Sequence, residues 1–299
     1  MQAMPVLDAI LAGKPMHKLI SRTIVDSSFP DDLMAKTILV KCDEAAELYW
    51  SDTEGKLNPR HDFGPLRLPA PSVWVEYKNP KRGFGGDKKW GNMSRSNWAI
   101  HLMEERLPDD TFRVNAFAYM LHPEGVVLNS EVGETITVNA SGRLVDGQGA
   151  SMLVLSGNLP QHVRERAIEE RGIESLQEEG HRVRIGLIAV GLMNCKNVST
   201  EETDKGGPRR KKSRGKKFPR MTYRTINIPG YRGARTSSPS SDEDPSVAIH
   251  RVRGHFKTFT AEKPLMGRHV GTYWWGWQVR GSAKNGAVVS DYKVTKTAA

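Results

Sequence analysis

The chain has 299 residues, 44 Lys+Arg against 34 Asp+Glu for a formal charge of +10, and 38% hydrophobic residues, which is enough apolar material for a core and excludes a wholly disordered polypeptide. That length fits two compact units, or one domain of about 200 residues with an appended tail. The longest apolar runs, such as 185–195, fall short of the roughly 20 residues a bilayer-spanning helix needs, and no secretory signal is visible at the start, so the cytoplasm is the expected location.

Residues 6–24 place Leu7, Ile10, Leu11 and, beyond Pro15, Leu19 and Ile20 at helical spacing, which predicts two short helices broken at Pro15. Asp31 or Asp32 can cap a further helix running through Leu33, Ile38 and Leu39 toward Ala45 and Leu48. Together these segments read as helical cover. Cys42 and Cys195 are too few for a disulfide framework or a zinc cage and read as small core residues. From Leu66 the pattern changes, and Ser72-Val73-Trp74-Val75-Glu76-Tyr77 is an aromatic and β-branched run that predicts a strand. The loop Gly83-Phe84-Gly85-Gly86 lacks the Gly-Lys-Ser/Thr ending of a phosphate cradle and reads as a hairpin or mobile loop. Short apolar runs at 97–103, 111–121, 126–129 and 135–138, separated by Pro, Gly and Asp, carry the punctuation of an antiparallel meander. Residues 161–179 predict an exposed amphipathic helix between Pro160 and Gly180. Residues 183–195 form either a buried helix or a strand; their length favours a helix, although Gly186 and Gly191 weaken that reading.

The charge is unevenly placed. Residues 1–199 hold 23 basic and 26 acidic residues, a net of −3, whereas residues 200–299 hold 21 and 8, a net of +13. Between Lys205 and Arg235 stand twelve basic residues and no acidic one, among them Arg209, Arg210, Lys211, Lys212, Arg214, Lys216, Lys217 and Arg220. Such a block repels itself, and with its Gly and Pro content and the Ser/Pro/acid stretch at 237–245 it reads as a flexible linker. It is either a solvated tail or an electrostatic hold on RNA, a ribosome or DNA, through counterion release at each neutralised phosphate. The interleaved Phe218, Tyr223 and Tyr231 favour unpaired bases over duplex. No amphipathic anchor or lipidation signal supports a membrane partner.

Beyond the linker, Phe256, Phe259, Tyr273, Trp274, Trp275 and Trp277 fall among His250, Arg251, Arg253, His255, Arg268, His269 and Arg280. So small a piece is expected to form strands that dock on the main domain or order on a partner. Strand alternation places Arg251, Arg253 and His255 on one face and Val252 and Phe256 on the other. No metal site and no cofactor are expected, because the tail has no cysteine and few acids. A metal-independent ribonuclease built on His250, His255, Arg253 and Tyr273 is the enzymatic alternative, set against the plainer reading that His and Arg bond backbone groups and stack on the tryptophans.

His250-Arg251-Val252-Arg253-Gly254-His255-Phe256, followed by Arg268, Gly271, Tyr273, Trp274 and Arg280-Gly281, resembles the His-x-x-Arg-Gly-His-aromatic ending of a family of phage and mobile-element proteins that includes type V-A anti-CRISPR proteins. Leu66-Arg67-Leu68-Pro69 with Val73-Trp74-Val75-Glu76, then Trp98-Ala99-Ile100, resembles the same family upstream. Phe256 stands where the family has Trp, and the spacer before Trp274 is longer. The resemblance implies a non-enzymatic host-takeover factor that lowers production of an effector by recognising its nascent peptide near a ribosome or RNA, in a bacterial host cytoplasm. His250, Arg253, Gly254, His255, Arg268, Trp274 and Arg280 are then the motif residues available to a partner. The full expectation is an α+β protein: residues 1–199 a globular domain with helical N-terminal cover on a mainly antiparallel sheet, 200–246 a basic flexible linker, and 247–299 a small aromatic and basic β segment. A plain nucleic-acid-binding accessory protein is the third reading.

Overall fold

Ser-Val-Trp-Val-Glu-Tyr, residues 72–77, are buried without interruption, and the rest of the chain is laid around them. A computed structural model describes residues 4–27, 36–53, 62–78, 97–122, 124–145, 152–155, 159–204, 222–228, 248–252, 254–276, 278–280 and 282–287. In chain order these form α1 (Pro5–Leu11), β1 (Pro15–Lys18), β2 (Thr23–Asp26), β3 (Thr37–Lys41), α2 (Asp43–Thr53), β4 (Ser72–Lys78), β5 (Asn97–Arg106), β6 (Phe112–Leu121), β7 (Val127–Val138) and β8 (Met152–Leu155). Then come α3 (Gln161–Arg171), α4 (Ile173–Gly180), a 3-10 turn (His181–Val183), α5 (Arg184–Met193), β9 (Ser199–Asp204), β10 (Thr222–Asn227), β11 (Ala248–Val252), β12 (His255–Phe259), β13 (Gly271–Trp275), β14 (Gln278–Arg280) and β15 (Ser282–Ala287).

One sheet takes ten of these strands in the order β2-β1-β7-β6-β5-β4-β3-β10-β9, with β8 also paired to β7. The β4-β5-β6-β7 run is antiparallel, whereas β3 lies parallel to both β4 and β10, and β1 parallel to β7. The chain is α+β. Alternation sorts β4 between two layers: Val73, Val75 and Tyr77 meet α2 and α5, while Trp74 meets α1 through Met4, Val6, Leu7 and Ile10. A strand covered on both faces is predominantly apolar, which is why this run lacks the polar alternation of a half-exposed strand and why its two polar members, Ser72 and Glu76, are hydrogen-bonded.

Of the helix and strand open to residues 183–195 the structure has the helix, α5, and its glycines are what let it pack. A Cβ on Gly186 would lie 2.7 Å from Ile100 Cγ2, and one on Gly191 would lie 1.7 Å from the Phe63 carbonyl oxygen. The helix-propensity cost of about 1 kcal/mol per glycine is outweighed by the close approach it permits. Arg184, at the start of α5, is held inside by Glu134 of β7 (Nε to Oε1 3.3 Å), both side chains 3% exposed. On the α1 face, fully buried Glu76 accepts hydrogen bonds from Leu7 N (2.7 Å), Val6 N (3.2 Å) and Trp74 Nε1 (2.9 Å), tying the amino-terminal helix to the central strand. Burial raises its carboxyl to about 7, the three donors and Lys41 pulling against that rise.

Several sequence expectations are corrected. Beyond Pro15 the chain forms β1 and β2 rather than a second helix, because β7 offers Met16–Lys18 a parallel ladder. The helix expected through Ile38 and Leu39 is β3 followed by α2: Thr37-Ile-Leu-Val-Lys41 is β-branched and pairs on both sides, and the helix begins only at Asp43. The runs at 126–129 and 135–138 are two parts of one strand, β7. The amphipathic helix at 161–179 is broken at Gly172 (φ 75°) into α3 and α4. The span 200–246 is not all linker. Residues 199–204 and 222–227 pair as β9 and β10 on the outer edge of the sheet, with Ile226 and Ile228 in the core and Arg224 paired to Glu202 (3.0 Å). The charged block therefore has structured roots. Asp204 stands opposite Thr222, so 205–221 is the connection between two adjacent strands. That connection, with Arg209, Arg210, Lys211, Lys212, Arg214, Lys216, Lys217 and Arg220, lies outside the described residues, as does the Gly83–Gly86 loop.

Candidate nucleic-acid interface

The carboxy-terminal motif does not form one strand through 251–256, as alternation suggested. β11 belongs to a three-stranded sheet with β14 and β15, and after the break around Gly254 a separate hairpin begins, β12 paired with β13. Hence Val252 and Phe256 belong to different sheets. Gly254 sits at the break because a Cβ there would lie 2.5 Å from the Trp274 ring. The motif residues divide accordingly. His250 and Arg280 stand directly opposite one another in the β11–β14 register. His255, Tyr273 and Trp274 belong to the hairpin, and Arg268 to its connecting turn, where Arg268 Nε donates to His269 Nε2 (3.1 Å). Arg253 lies outside the described residues.

The hairpin has two chemically distinct faces, set by its register His255↔Trp275, Phe256↔Trp274, Lys257↔Tyr273, Thr258↔Thr272 and Phe259↔Gly271. Phe256 and Trp274 point inward, edge to face at 4.8 Å and 62°, and join the main core. Phe256 lies over Gly64 and Gly191, whose missing side chains make its seat. Asn197 then grips the strand. Its Nδ2 donates to the Trp274 carbonyl (2.7 Å), its Oδ1 accepts from the Trp274 amide (2.8 Å), and the neighbouring Lys196 amide donates to the Thr272 carbonyl (2.9 Å). The hairpin is thus mounted on the segment between α5 and β9.

The other face looks outward and carries His255, Lys257, Phe259, Tyr273 and Trp275. Phe259 packs edge-on against Tyr273 (5.8 Å, 74°) and tilted against Trp275 (5.8 Å, 42°). The Lys257 ammonium stands 5.2 Å from the Phe259 ring centre and 5.6 Å from that of Trp275. Over 254–276 the cations Lys257, Lys263 and Arg268 face a single acid, Glu262. Inward aromatics contribute to the core; the outward three are held by one another and by a cation, and their remaining surface meets solvent.

Sequence reasoning picked out His255, Tyr273 and Trp274 but not Lys257, Phe259, Trp275 or Asn197 as site residues. The odd-numbered positions of 255–259 and 271–275 would have shown the outward set, had the strand been started at His255. Asn197 has no sequence signal, since its partners are backbone groups 77 residues away.

A hydroxyl–imidazole pair elsewhere has the look of a catalytic dyad. Ser72 Oγ lies 2.9 Å from His101 Nε2 and accepts from Thr37 Oγ1 (2.8 Å). Ser72 is fully buried and His101 is 4% exposed, and burial lowers the imidazole to about 4. A neutral, sealed pair beside Trp74 ties β3, β4 and β5 together and offers a substrate no approach. Cys42 and Cys195 are buried thiols, and burial pushes Cys195 up to about 12. Among the described residues no group of His, Cys, Asp and Glu is placed to hold a metal ion, and no helix is long and apolar enough to cross a membrane. No protein-family model matches the chain, and no curated protein or solved structure matches it either.

Proposed function

We propose that the chain is a host-interaction protein of a phage or mobile element, binding a protein or nascent-chain target together with RNA or the ribosome and lowering production of an effector without chemistry of its own. The observation that supports this most directly is the outward hairpin face, where Lys257, Phe259, Tyr273 and Trp275 are displayed on a mount fixed by Asn197 and Trp274. A cationic and aromatic surface on a rigid support suits a polyanion with exposed rings. The strand β9 runs from beside that mount to the root of the basic connection 205–221, a span of about 20 Å. Crosslinking and pull-down from producing cells tests the reading: RNA or ribosomes should copurify together with a specific protein. Recovery of nucleic acid with no protein target favours the accessory-protein reading, and recovery of neither refutes both.

The ribonuclease alternative keeps one observation in its favour, since His255 and Tyr273 are diagonal neighbours on that same outward face. His250 stands in a different sheet, so the four-residue set read from the sequence is not gathered into one strand. Metal-free incubation with labelled RNA separates the two readings. Cleavage that His255→Ala abolishes, and that survives replacement of 205–221 by a short glycine turn, would sink the non-enzymatic one.

A further inference from the structure

We infer that the outward face of the β12–β13 hairpin is a stacking platform for the unpaired bases of single-stranded RNA. This rests on the RNA contact proposed above and specifies its ligand and its residues.

Three features of the face select this occupant. The rings of Phe259, Tyr273 and Trp275 form one contiguous group, and all three are only partly buried although the core beneath is already filled by Phe256 and Trp274. Gly271, opposite Phe259, leaves its side-chain space to the stem of Lys196, which brings a further cation to that end of the face. Charge then decides between bases and an apolar peptide. Lys257 sits against two of the rings, Arg268 and Lys263 are exposed on the connecting turn, and the stem of Lys196 lies against Gly271. Aromatic faces accept any base, and flanking cations neutralise the phosphates between them. A duplex keeps its base faces stacked internally, so it can reach the cations but not the rings.

Rings and cations have separable roles. The rings supply the preference for single strands with little salt dependence, because stacking releases no counterions. Lys257, Lys263 and Arg268, together with the nine basic residues of 205–221, supply the salt-dependent part.

The experiment is fluorescence anisotropy of a labelled 12-nucleotide oligouridine, and of the same strand paired with oligoadenosine, against the full-length protein across a salt series. The wild type is expected to bind the single strand at least tenfold more tightly than the duplex. Phe259→Ala should weaken single-strand binding about tenfold, and Tyr273→Ala with Trp275→Ala about a hundredfold, on the scale of one stacking contact per ring. Duplex binding and the slope of log affinity against log salt should not move. Replacing 205–221 by a short glycine turn should instead lower both affinities and flatten the slope. Circular dichroism checks that each variant folds, and the single Phe259 substitution carries the test if the double one does not. Equal affinity for single strand and duplex, or ring variants that bind like wild type, overturns the platform while leaving RNA binding intact. Failure of the wild type to bind either form at low salt overturns the RNA reading itself.

Discussion

Replacing Asn197 by alanine should detach the hairpin while leaving the sheet beneath it in place. The side chain makes two hydrogen bonds, 2.7 and 2.8 Å, to the carbonyl and amide of one residue, Trp274, and so acts as a strand partner for β13. A partly buried bond of this kind contributes about 1 kcal/mol net, and its loss leaves both backbone groups of Trp274 short of a partner, for a total of about 2 kcal/mol. That corresponds to a roughly 30-fold rise in the population of the opened hairpin. Phe256 and Trp274 still fill their seats, so the hairpin opens more often without melting. Native-state hydrogen exchange reads this directly: the Trp274 and Lys196 amides should exchange about 30-fold faster, while amides of β4, β5 and β6 keep their protection. Asn197→Asp retains the acceptor for the Trp274 amide and loses the donor, so its effect should be intermediate. Unchanged exchange at Trp274 would refute the clamp, and equal acceleration across β4–β6 would refute the idea that the hairpin opens by itself.

Three further outcomes follow from buried groups. Glu76 is raised by burial to about 7 in the folded protein, from an ordinary value of 4.5, so the native state holds the proton more tightly and ionisation works against folding. Stability from this group is present at low pH and is lost as pH rises through 7, by about 3 kcal/mol in all. Denaturation in urea between pH 5 and 8 should show that decline in the wild type and not in Glu76→Gln, and parallel curves would reject it. Gly191→Ala should destabilise by about 2 to 3 kcal/mol despite its better helix propensity, because the new Cβ meets the Phe63 carbonyl; an unchanged urea midpoint would show that the close approach does not exist. Removing Arg184 alone, as Arg184→Met, should cost about 3 to 5 kcal/mol by taking the guanidinium from buried Glu134. Adding Glu134→Gln should recover most of it, and a double variant no better than the single one argues against the pair.

Local signals were sufficient for a good part of this protein. Residues 72–77 read as a strand because their β-branched and aromatic run has no other comfortable conformation, and the meander from 97 to 138 was visible in its Pro-Asp-Asp and Pro-Glu-Gly punctuation. The uneven distribution of charge, −3 against +13, is equally a property of the chain alone. What the sequence could not decide were segments whose partners are far away along the chain. Thr37–Lys41 is a strand because β4 and β10 flank it, and 222–227 leaves the linker because Ile226 and Ile228 have a core to enter. Gly186 and Gly191 read locally as weaknesses of a helix and became requirements once Ile100 and Phe63 were brought against them. At the interface the residue types were legible, but their sorting into an inward pair and an outward set depended on where β12 begins. That point is fixed by the Trp274 ring over Gly254 and by the grip of Asn197, contacts made across 20 and 77 residues that folding alone brings within reach.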